Sequence, residues 1–128
     1  MFASTVSLLL SSSGSRGTDV LRALMKITPD LMSRFVSRRS DVAGRWVKSR
    51  PNARQLSSVE LRKADIDSIY GDTAVETLSE ELGMDEAEVV RLLNNALYEG
   101  ARLAAPNGER VSERAVKRLD EDLKNAIL

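Results

Sequence analysis

Residues 73–97 read TAVETLSEELGMDEAEVVRLLNNAL, and their spacing decides the fold class. Val75, Leu78 and Leu82 recur with the helical period, behind Thr73-Ala74-Val75-Glu76. That tetrapeptide is a capping box, in which hydroxyl and carboxylate satisfy the orphan amides of a first turn. Gly83 is placed to stop the helix. Asp85-Glu86-Ala87-Glu88 then opens a second helix, with Val89, Leu92, Leu93, Ala96 and Leu97 inward. The pair has the layout of a helix-turn-helix. Its second helix would meet a DNA groove with Asp85, Glu86 and Glu88, which phosphates repel, so a helical hairpin within a core is the better reading.

The same period extends outward in both directions. Toward the C-terminus, Pro106-Asn107-Gly108 is a turn and Ser112 an N-cap. The stripe of the last helix is Val116, Leu119, Leu123 and Ile127, and Glu113–Lys117 and Asp120–Lys124 fall as i,i+4 pairs on its outer side. Toward the N-terminus, Ser57-Ser58-Val59-Glu60 is another capping box, leading a helix to Tyr70 that Gly71 ends. Arg50 to Gln55 is a loop. Before it, Val42, Ala43, Trp46 and Val47 form the buried face of a short helix. A lone Trp in phase with such a stripe predicts a core anchor. Leu31, Met32, Phe35 and Val36 mark the helix before that, restarted by Thr28-Pro29-Asp30. Val20, Leu21, Leu24 and Met25 mark the first, with Thr18 as its cap. Residues 1–17 are uncharged up to Arg16 and rich in serine, and they read as a flexible tail ahead of a single domain over 18–128.

No stretch alternates with period two. The expectation is an all-α compact bundle of six to eight short helices, which must share one core because such helices do not hold alone. The chain of 128 residues has no cysteine and no histidine. That excludes disulfides, thiolate chemistry and the commonest metal ligands and general base. The acids fall in first turns and on outer faces, where capping explains them. No catalytic residue, metal or cofactor is expected, and the chain reads as not an enzyme. No apolar run is long enough for a membrane span. A cytoplasmic location is the expectation, although uncharged Ser-rich N-termini also resemble the export signals of bacterial type III effectors.

The zero net charge is a cancellation. Residues 16–63 hold 12 Lys/Arg against 4 Asp/Glu, and residues 64–128 hold 7 against 15. Such a split predicts packing of one half on the other, or weak self-association, or a partner protein. The basic surface candidate is Arg34, Arg38, Arg39, Arg45, Lys48, Arg50 and Arg54, extended by Arg62 and Lys63. Backbone binding to nucleic acid would need these to converge on one face, and few aromatic residues are there to stack on bases.

Asp41-Val42-Ala43-Gly44-Arg45-Trp46-Val47, then Pro51-Asn52, then Leu56-Ser57 before a helix, resembles the YidB-like family of small bacterial proteins. Val75 to Leu82, Gly83-Met84, a helix through Leu97 and the Pro106-Asn107-Gly108 turn continue the resemblance over about 41–110. It implies an all-α fold and no named reaction.

Two local motifs are weaker. Asp67-Ser68-Ile69 echoes the Asp-Ser-Leu of acyl carrier proteins, where the serine at a helix start carries phosphopantetheine, but Gly71 falls inside the helix that should follow. Asp65, Asp67 and Glu76 fit positions 1, 3 and 12 of a calcium loop, but Ile69 and Tyr70 stand where an oxygen ligand and the turn glycine are needed.

Overall fold

The computed structural model describes residues 5–49, 61–105 and 110–127. Among them are seven helices and no strand: α1 Thr5–Ile27, α2 Leu31–Arg38, α3 Ser40–Ser49, α4 Lys63–Tyr70, α5 Ala74–Leu82, α6 Glu86–Leu103 and α7 Glu113–Ile127. The all-α expectation holds. The capping box at Ser57–Glu60, the loop with Arg50 and Arg54, and the Pro106-Asn107-Gly108 turn lie outside the described residues.

α6 is the axis of the bundle, touching each of the other six helices. Its sequence explains this position. Val89, Val90, Leu92, Leu93, Ala96, Leu97 and Ala101 bury more than one face, as a helix enclosed on several sides requires. Gly100 lets α2 press close: a Cβ there would stand 2.7 Å from the Met32 methyl. The hairpin read from residues 73–97 is formed. Gly83 takes the left-handed conformation (φ 63°) and the Ser79 hydroxyl donates to the Met84 carbonyl across the turn. Trp46 is the anchor that its phase predicts. It is 1 % exposed, 5.6 Å from the Phe35 ring and edge-on to Tyr98 at 6.0 Å.

The start of the fold differs from the sequence expectation. α1 begins at Thr5 rather than at Thr18, and Leu9 is wholly buried in the shared core. Gly14 (φ 74°, ψ −178°) breaks the helix into two segments, which is why the helical period could not be followed back through it. Thr18 is therefore not a cap. Its hydroxyl donates to the Gly14 carbonyl within the helix, at 2.8 Å.

Several helix starts are capped from elsewhere in the fold. The Asp120 carboxylate on α7 accepts the Met32 and Ser33 amides at 2.8 and 2.9 Å, and the Ser33 hydroxyl at 2.7 Å. Asp120 is 3 % exposed, so its reading as an outward partner of Lys124 is corrected. It points inward because it lies one turn past Val116, in the apolar stripe. Thr73 makes no side-chain cap; instead Asp67 accepts the Val75 amide at 3.1 Å. Asn94, 2 % exposed on α6, performs a related task. It accepts the Leu61 amide at 3.0 Å and donates to the Leu61 carbonyl at 2.8 Å. Ser112 caps α7 as its sequence suggests, accepting the Ala115 amide at 3.3 Å.

Candidate interaction groove

Two of the basic residues of the first half are held in contacts inside the fold. Arg34 turns to α4 and donates to the Ile69 carbonyl at 2.8 Å. Arg39 does the same, binding Asp65 at 2.7 Å and Asp41 at 3.2 Å. Hydrogen bonding to Arg39 holds the Asp41 carboxyl below its ordinary range. Lys26–Glu81 at 3.7 Å and Lys63–Glu86 at 3.1 Å are further contacts between the basic half and the acidic half. Arg38 and Arg45 are exposed on α2 and α3. Lys48 is exposed one turn beyond Arg45 on α3, and Arg50 and Arg54 lie outside the described residues.

Lys48 lines a groove that the linear sequence does not reveal. One part, of about 480 Å³, lies among Val36, Ser40, Ala43, Gly44, Lys48, Arg110 and Val111. A second part, of about 540 Å³, shares Val36, Ser40 and Val111 and extends along Ser33, Ser37, Glu113, Val116 and Lys117. α2 and α3 form one wall. The other is residues 110–112 and the first turns of α7, set in place where the Ser112 amide donates to the Ala104 carbonyl at 2.8 Å.

The groove has an apolar floor and a rim of three cations and one carboxylate, Glu113. Val36 and Val111 are half-buried in it and Ala43 is buried. Lys48, Arg110 and Lys117 are exposed and make no ion pair among the described residues. Gly44 sits mid-helix on the floor, with nothing within 4 Å of where a Cβ would be. A mid-helix glycine costs about 1 kcal/mol relative to alanine. No packing inside the described fold offsets that cost.

The other motifs are accounted for by the fold. Ser68 lies in the last turn of α4, not at a helix start, and its hydroxyl donates to the Asp65 carbonyl at 2.7 Å. Asp65 accepts the Arg62 amide and Arg39, and Asp67 accepts Val75. Among the described residues no three His, Cys, Asp or Glu side chains gather as a metal site, and no helix is long and apolar enough to cross a membrane. Tyr70 is buried and donates to the Leu31 carbonyl at 3.0 Å, with burial pushing its phenol well above its ordinary range.

Comparison with family models, with characterised proteins and with solved structures finds no match.

Proposed function

We propose that this chain is a non-enzymatic helical interaction module, YidB-like in the pattern of residues 41–110, that takes an acidic, partly apolar segment of a protein partner into the groove between α2–α3 and residues 110–117. The observation that carries this reading is the set of cations without an ion pair among the described residues, Lys48, Arg110 and Lys117, around a floor open among those residues at Gly44. Carboxylates answer the rim, and an apolar side chain answers Val36 and Val111. Such complementarity sets specificity and association rate more than affinity.

A synthetic helical peptide of leucine and glutamate, dye-labelled, tests it by anisotropy. Binding is expected to the wild type, to weaken for Lys48→Glu/Arg110→Glu, and to vanish for Gly44→Leu, whose side chain fills the floor. A leucine–glutamine peptide should not bind. If a DNA duplex binds with the same sensitivity to Lys48 and Arg110 while the acidic peptide does not, the nucleic-acid reading of the basic region replaces this one.

A further inference from the structure

A second surface carries the counterpart of the groove. On α5, Glu76 and Glu80 stand one turn apart, both exposed and neither in an ion pair among the described residues. Like charges at i,i+4 oppose each other. Glu76 has the first-turn position and the Lys63 charge in its favour, and Glu80 has no ion pair among the described residues. The Lys26–Glu81 contact brings the end of α1 against the last turn of α5. Ile27, next in the chain, is 44 % exposed, the one large hydrophobic side chain so exposed among the described residues. These residues offer two carboxylates and an apolar side chain, against a groove offering three cations, one carboxylate and an apolar floor.

The carboxylates and the groove belong to different elements, α5 on one side and α2, α3 and residues 110–117 on the other. α5 leads through residues 83–85 into the N-terminus of α6, whereas Arg110 and Val111 follow its C-terminus. The 18 residues of α6 hold these ends about 27 Å apart. Resting on the groove reading above, we infer that the partner is a second copy of this chain, whose Ile27, Glu76 and Glu80 enter the groove head to tail. A heterologous contact of this kind uses two different patches, so it closes into a ring or grows into a filament rather than stopping at a symmetric dimer.

Sedimentation velocity of the full chain tests the inference over a concentration series. The salt is set at about 0.01 M and about 1 M, where the screening length falls from roughly 30 Å to roughly 3 Å. The expected result is concentration-dependent growth at low salt that disappears at high salt. Lys48→Glu/Arg110→Glu should be monomeric alone, and so should Glu76→Lys/Glu80→Lys. Mixed, the two should associate again at low salt, because one retains the acidic patch and the other the groove, and their reversed charges also complement each other. Circular dichroism and melting of each variant show that it is folded. A wild type that stays monomeric at low salt overturns the inference. So does association that survives in either variant alone, or a mixture that remains monomeric. The leucine–glutamate peptide separates the two failures: if it binds while the wild type stays monomeric, the groove stands and the second copy does not; if it does not bind, the groove reading itself has failed.

Discussion

The two flanks of the α2–α3 layer contrast. On the α4 side the cations are spent: Arg34 on the Ile69 carbonyl, Arg39 on Asp65 and Asp41. On the α7 side Lys48, Arg110 and Lys117 make no ion pair among the described residues, above an open floor. Charge density in the sequence is higher on the closed flank, and the open one draws two of its three cations from the acidic half. A basic stretch therefore says little about a binding surface until its internal partners are known.

The strongest way to disturb the contrast is to remove what both flanks rest on. Trp46→Ala empties the space between Phe35 and Tyr98 and should cost about 3–5 kcal/mol, read as a loss of denaturation midpoint. An emission maximum in the native wild type typical of free tryptophan in water would contradict the buried site. Next is Asp120→Ala, which strips the cap from the start of α2 and leaves the buried Met32 amide without its acceptor. A loss of about 2–3 kcal/mol is expected.

Asp120 also predicts a pH effect. Burial raises its pKa above the ordinary value, although hydrogen bonds from Ser33 and Met32 oppose the rise. Its contribution is therefore fully present below the ordinary carboxylate range and is lost as pH rises through the raised value. In a urea midpoint series against pH, the wild type should show this falling component and Asp120→Asn should not.

Smaller changes separate the flanks themselves. Gly44→Ala on the open side should stabilise by about 1 kcal/mol, since its methyl meets nothing. A destabilised Gly44→Ala would mean that the groove is already filled. Arg39→Ala on the closed side should cost about 0.2–1 kcal/mol, the scale of a partly exposed ion pair. Lys48→Ala should leave the melting temperature unchanged while weakening the acidic peptide, so that equal effects from the two substitutions would erase the contrast.

Much of the fold was legible because a periodic apolar stripe is a local signal. Val116, Leu119 and Leu123 are all buried, and Trp46 lies where its phase with Val42, Ala43 and Val47 puts it. Asp120 and Asn94 were missed although a signal existed. Asp120 follows Val116 by four residues and Asn94 follows Val90 by four, so both occupy positions in the buried stripe. A polar residue in that phase is a candidate clamp on another element. Leu9 was missed because Gly14 interrupts the period that would have joined Leu8, Leu9 and Leu10 to the first helix. The groove was out of reach for a different reason. Residues 36–48 and 110–117 meet only in three dimensions, and no local pattern encodes that meeting.

The enclosure of α6 also bears on how the molecule opens. Every other described helix leans on it, so its amides can reach solvent only when the surrounding helices separate together. Hydrogen exchange at Leu93, Ala96 and Leu97 should then proceed through global unfolding, at the full free energy of the fold. α4 and α5, eight and nine residues long at the rim, can fray and re-form while that axis stays intact. The acidic patch would thus ride on the most readily opened part of the bundle, and the groove beside the C-terminal end of its slowest-exchanging helix.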